Sequence, residues 1–280
     1  MDIKTSGNLP GIHRKQFLKW IGLSSLYAAM PLSGYSRETS ALSESAAFDP
    51  ETINNVFDLQ NRAREVLGTD AMDYLNGRAD DLRTVEANSG AYQKIQIRAR
   101  RLIDVRNIDT KIDLFGETLD YPVLLSPVGF QQLFHPQGEI ATAKAAGSRN
   151  FKMIISSVSN HSVTEIARQS GIRPWFQLYP SPDRNVTKKL LEQAEAAGCT
   201  VCALTVDTPV VGNRENSGPN LLKLIESGEL RMGNFEGILP AGMSFTDPGM
   251  TWDMIAWLKA NSSMKIVLKG IVTREDAVLA

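Results

Sequence analysis

The sequence predicts an α/β fold in which parallel strands alternate with helices, and three observations carry that reading. Short apolar, β-branched runs recur from Tyr121 onward, amphipathic stretches separate most of them, and polar residues gather where each run ends. Runs of four to seven residues without polar alternation, each followed by a helix, mark strands buried on both faces. A closed (β/α) barrel and an open covered sheet both satisfy this pattern, and both bind ligands outside the carboxyl ends of their strands.

Composition narrows the classes. The 280 residues are 42% hydrophobic and 22% charged, which excludes wholesale disorder, collagen and coiled coil. Thirty basic against 31 acidic side chains give a net charge of -1, so there is no basic surplus for nucleic acid and no acidic tail. Two cysteines cannot build a disulfide framework. The expected partner is a small molecule.

Residues 1–47 read as a signal-like or disordered segment, ahead of a single domain over 48–280. A basic stretch around Arg14-Lys15 precedes the apolar run Ile21 to Leu32, which is too short to span a bilayer at roughly 20 residues. The order Arg14-Lys15-x-Phe17-Leu18-Lys19 is similar to a twin-arginine export signal with Lys in place of the second Arg. An N-terminal extension with one amphipathic turn is the alternative, which leaves an envelope or a cytoplasmic location open.

From Asp49 to Asn107 the pattern is helical, with Ile53, Val56, Phe57, Leu59 and Ala63 on one stripe and Ala71 to Asn76 running into Gly77. The strands follow at Val123–Ser126, Met153–Ser157, Trp175–Tyr179, Val201–Asp207 and Ile266–Lys269. Helices are expected at Gly138–Ala146, Val163–Ser170, Asp183–Ala197 and Trp252–Ala260, with a last one capped by Thr273. Between the fourth and fifth strands an insert, Pro209 to Met250, shows Gly, Pro and Asn clusters and little apolar period. A segment of that kind serves as a lid or binding loop, or is disordered.

Some motifs carry less than they promise. Cys199-Thr200-Val201-Cys202 opens a buried strand without a second pair, so small core thiols are expected and no metal site. His135 fits a turn before a helix, and His161 lies in a loop with no obvious carboxylate partner in sequence. No G-x-G-x-x-G is present to hold a nicotinamide dinucleotide.

The strand ends, by contrast, resemble a known family. The segments are Ser126 to Glu139, Trp175-Phe176-Gln177-Leu178-Tyr179, Leu204 to Glu215 (with Thr205-Val206-Asp207-Thr208-Pro209) and Ile266 to Ala277. Together they resemble the FMN-dependent 2-hydroxy acid oxidases and dehydrogenases, from about Ile53 to the last residue. The resemblance implies a (β/α)8 TIM barrel, here about the first five βα units behind a helical segment, with FMN across the strand ends and a 2-hydroxy acid oxidised to the 2-oxo acid.

Residue by residue, the resemblance implies that the backbone of Pro127, Val128 and Gly129 lines one flavin face. It places Ser156, Gln177 and Thr205 at the isoalloxazine edge and Lys269 near flavin N1 and O2, where a cation stabilises the reduced ring. Arg214 and Tyr74 match groups that hold the substrate carboxylate, the former by its planar fork. Tyr179 matches a tyrosine near the substrate hydroxyl, and Asp207 an aspartate that supports a catalytic histidine. Relatives are often tetramers, which by analogy implies a homo-oligomer.

Departures from the pattern are Arg78 for a glycine, Val158 for a common aromatic, and Asn213 for a frequent arginine. The family's Ser-Asn-His-Gly-Gly-Arg segment, with the base histidine, and its phosphate-binding loops are not in this sequence. A truncated chain is therefore expected, without turnover or tight FMN binding on its own. A non-catalytic remnant of the family is the alternative, and a phosphate-sugar isomerase or aldolase barrel is disfavoured by the matching segments.

Overall fold

Five parallel strands, paired side by side in chain order, form the frame of the molecule. The computed structural model describes residues 52–214, 218–238 and 246–280, so the export-signal reading lies outside the described residues. The strands are β3 (Leu124–Leu125), β4 (Lys152–Ser156), β5 (Trp175–Leu178), β6 (Val201–Thr205) and β7 (Lys265–Lys269). Before them come helices α1 (Val56–Val66), α2 (Thr69–Asn76) and α3 (Arg83–Tyr92) and the antiparallel hairpin β1 (Ile112–Leu114) and β2 (Glu117–Leu119).

Connecting helices α4 (Gly138–Ser148), α5 (Val163–Ser170) and α6 (Arg184–Ala196) follow the strands as expected. Each start has a local chemical cause. The Ser162 hydroxyl accepts the Glu165 N–H at 3.2 Å to open α5, and Asp183 accepts the Asn185 N–H at 2.8 Å to open α6. After β6 the chain forms α7 (Gly218–Glu226) and α8 (Asp253–Asn261), and after β7 the short α9 (Arg274–Leu279), capped by Thr273.

Burial follows the continuous apolar runs. Every residue of β5 and β6 is buried, and Phe176, Leu178 and Leu204 pack with Ile155, Leu190, Leu191, Met254 and Leu258 in one core. The cysteines belong to that core as expected: both are free and buried, and burial pushes their thiols up to about 12. Unreactive packing is what such a site gives a thiol.

Three expectations fail. The N-terminal stripe does not reach the core: α1 buries no residue, and Val56 and Phe57 are each 71% exposed. Residues 94–107 form no helix. The insert is not structureless, for it carries α7 and a short 3-10 turn, Gly233–Phe235, that buries Asn234 and Phe235. The hairpin β1–β2 was also not foreseen; at three residues a strand, it is too short to show a period.

That hairpin closes the amino ends of the strands. Phe115 at its tip meets the Trp175 ring edge-on at 5.6 Å. The Glu117 carboxylate accepts the Trp175 Nε1–H at 3.1 Å and pairs with Lys152 and the Thr200 hydroxyl. Burial raises the Glu117 pKa, but the bonds from Lys152, Thr200 and Trp175 outweigh it and leave the group below its ordinary value.

Candidate active site at the strand ends

Parallel pairing sets the polar ends of the strands side by side. The register places Ser156 opposite Gln177 and Thr205 opposite Lys269. The Ser156 hydroxyl donates to Gln177 Oε1 at 3.0 Å, and Gln177 Nε2 donates to Thr205 Oγ1 at 2.8 Å. All three side chains are buried. The result is a hydroxyl–amide–hydroxyl ladder across three strands, in which donors and acceptors alternate.

Two tyrosines and an arginine gather beside it. Tyr74 comes from α2, whose apolar side puts its ring 6.4 Å from Phe130, edge-on, and 5.9 Å from Phe134. Burial raises the Tyr74 pKa, the Arg214 charge opposes this, and Glu139 adds to it. Tyr179, just past β5, is raised by burial, then by Tyr74 and Asp207, with Arg214 again opposing. Tyr74, Tyr179, Asp207 and Arg214 therefore lie within one electrostatic neighbourhood. Both phenols stay protonated near neutrality and so remain hydrogen-bond donors.

Lys269 and Asp207 face each other at 3.7 Å, both about half exposed. Gly270 makes this approach possible. Its φ is +107°, and a Cβ there would come within 2.5 Å of Asp207 Cγ. The buried setting expected for Lys269 is thus only partial: its side chain is 40% exposed and turned to Asp207 at the sheet edge.

Pro127, Val128 and Gly129 form the loop leaving β3. Gly129 is pressed against the loop after β4, and a Cβ on it would sit 2.7 Å from Val158 Cγ2. Of the departures, Val158 is thereby buried under Gly129, while Arg78 is exposed. Asn213 ties the Arg214 segment to the loop after α2: its Nδ2 donates to Asp80 Oδ1 at 3.0 Å, and its carbonyl accepts the Asp80 N–H at 3.2 Å.

Sequence reasoning missed a buried polar frame behind these groups. Glu139 is fully buried, and its Oε1 accepts the backbone N–H groups of Gln131 and Asn160, each at 3.1 Å. Asn234 donates to the Ser156 and Ser157 carbonyls, each at 3.2 Å, and accepts the Val163 N–H at 2.7 Å. His161 Nδ1 lies 3.3 Å from a Glu165 carboxylate oxygen, one helical turn on, without forming a hydrogen bond to it. An i, i+4 spacing of His and Glu was the available signal. No sequence signal marked Asn234.

A model of the FMN-dependent dehydrogenase family matches residues 63–280. The chain belongs to this family. It is 38% identical to a peroxisomal (S)-2-hydroxy-acid oxidase of Oryza sativa subsp. japonica over 80% of this chain and 63% of that protein. It is 36% identical to 2-hydroxyacid oxidase 2 of Bos taurus (80% and 65%) and 37% identical to glycolate oxidase of Spinacia oleracea (81% and 65%). Among solved structures, mandelate oxidase with benzoyl-formic acid superposes with a TM-score of 0.66 at 34% identity, covering 80% of this chain and 64% of that one. The chain thus spans a little under two thirds of these relatives' length, and its five parallel strands correspond to part of a TIM barrel.

The ladder suits the group that gives the family its name. A flavin's pyrimidine edge alternates carbonyl acceptors with a ring N–H, and a glutamine between two hydroxyls can meet both kinds. A cationic Lys269 at the next strand end suits the negative charge of a reduced ring.

Proposed function

We propose that the full-length protein oxidises a 2-hydroxy acid to its 2-oxo acid with FMN. The observation that carries this reading is the convergence of Arg214, Tyr74 and Tyr179 on the strand ends beside the Ser156–Gln177–Thr205 ladder.

Each residue has a role that follows from its chemistry. The Arg214 fork pairs with the substrate carboxylate, and the Tyr74 hydroxyl donates to the same group. Tyr179 donates to the substrate's hydroxyl oxygen and orients it. Ser156, Gln177 and Thr205 would hold the ring edge of FMN, the backbone of Pro127, Val128 and Gly129 would line one ring face, and Lys269 would supply the cation. The chemistry that bound FMN would supply is acceptance of the two electrons that the α-carbon loses. Asp207 would stabilise the imidazolium formed when a histidine of the full-length protein takes the substrate proton. Val158, at the loop that faces Gly129, bears on which acid side chains are accepted, and glycolate-, lactate- and mandelate-like acids are the candidates.

Loading the full-length protein with FMN and adding these acids without oxygen tests the reading. The expected result is a yellow protein that one of them bleaches, with Arg214→Met weakening the acid's apparent affinity more than tenfold. A full-length protein that binds no FMN overturns it.

A further inference from the structure

Residues 126–130 reach the site as irregular backbone, and their geometry is held by side chains outside the site. The Val128 carbonyl accepts the Gln131 Nε2–H at 3.1 Å. On its other side the same amide accepts the Thr142 hydroxyl at 2.6 Å, which anchors it to α4. A carbonyl can only accept, so the amide is locked with its NH2 towards Val128. Glu139, also on α4, fixes the Gln131 backbone N–H at 3.1 Å and shares that oxygen with Asn160. Near the amino end of a helix a carboxylate is electrostatically favoured.

The backbone between these anchors is strained. Phe130, a buried non-glycine residue, has φ +55° and ψ 43°, a left-handed conformation. Such a residue is disfavoured and persists only where its surroundings over-determine it. Here the surroundings are Gln131, Thr142 and Glu139.

We infer that Gln131 is a positioning residue that, backed by Thr142 and Glu139, aims the Val128–Gly129 peptide at the ligand. Because a trans peptide is planar, its C=O and N–H point in opposite directions. Drawing the Val128 carbonyl to Gln131 therefore turns the Gly129 N–H away from Gln131, as a donor with no partner among the described residues. The ligand chemistry this fits is an acceptor nitrogen or oxygen on a flat ring lying against residues 127–129, an assignment that rests on the FMN reading.

The sequence offers a selective probe. Val-Gly occurs only at 128–129 and 211–212, so a chain with 13C-carbonyl valine and 15N glycine gives two correlated amide signals. In Gln131→Leu the 128–129 signal is expected to move as the carbonyl loses its donor, while the 211–212 signal stays. In Gln131→Glu the protonated acid can donate again, so the signal should return towards its wild-type position as pH falls, which Gln131→Leu cannot do. In the full-length protein, FMN should move the 128–129 signal, and Gln131→Leu should weaken FMN binding about tenfold, the loss of roughly one hydrogen bond.

An unmoved 128–129 signal in Gln131→Leu overturns the inference, as does equal displacement of both signals, which would mean general loosening. Equal FMN affinity in wild type and variant overturns it too. If the full-length protein binds no FMN, the functional reading falls by itself, and the two signals still decide whether Gln131 sets the peptide.

Discussion

The two ends of the same five strands solve opposite problems. At the amino ends, Glu117 is consumed by the protein: Lys152, Thr200 and Trp175 all bond to it, and the hairpin is fastened down. At the carboxyl ends, Ser156, Gln177 and Thr205 bond to one another through neutral groups that retain spare donors and acceptors, and the ion pair of Lys269 with Asp207 is long, at 3.7 Å, and about half exposed. Saturated ionic bonding serves stability, and unsaturated neutral bonding leaves capacity for a ligand. A fold of this kind separates the two tasks by the length of a strand.

The largest expected effect strikes what the ends share. Phe176→Ala empties the centre of β5 and should cost about 3–5 kcal/mol in denaturant unfolding. A loss below about 1 kcal/mol would mean that β5 is not the common frame. Next comes the amino end. Glu117→Gln should cost about 1–2 kcal/mol, discounted for its partial exposure, and leave FMN affinity of the full-length protein unchanged.

The same carboxylate gives a signed pH effect. Its folded pKa lies below the ordinary 4.5, so its contribution is complete above that value and is lost as pH falls through the depressed folded pKa. Acid should therefore narrow the stability gap between wild type and Glu117→Gln. A gap that widens in acid would reverse the assignment.

Gln177→Leu sharpens the contrast from the other side. Stability should fall by only about 1 kcal/mol, while FMN affinity in the full-length protein falls about tenfold or more. If affinity holds and stability collapses, the carboxyl-end ladder is merely a second brace. The smallest effect is none: with thiols at about 12, Cys199 and Cys202 should resist a thiol reagent in the folded chain and react once it is denatured. Rapid labelling of the folded chain would show that the core around β6 opens.

Legibility in the sequence followed locality. The helix Val163–Ser170 was readable to the residue because Ser162 before it and Gly171 after it are adjacent signals. The buried strands were readable because each is a continuous apolar run. The insert helix α7 was not, since Gly218, Pro219 and Asn220 at its start look like a turn. The α1 stripe misled because periodicity shows that a helix has an apolar face and not that the face finds a core. At the site, the strand-end residues stood out because their polarity interrupts apolar runs. Glu139 and Asn234 did not, because the groups they satisfy lie up to 21 and up to 78 residues away and no local pattern encodes such a pairing.

Asn234 also has a bearing on the order of assembly. Its bonds to Ser156, Ser157 and Val163 close loops of 71 to 78 residues, whereas β4 and β5 are joined by one short helix. Loop closure of that length carries an entropy cost that local pairing does not, so the sheet can register before the insert docks. The carbonyls beside Ser156 are then completed late, after the frame they belong to. The strand end at which the ladder begins is thus a product of docking rather than of strand pairing, and in refolding Asn234→Ala should slow the burial of Phe235 more than the burial of Trp175.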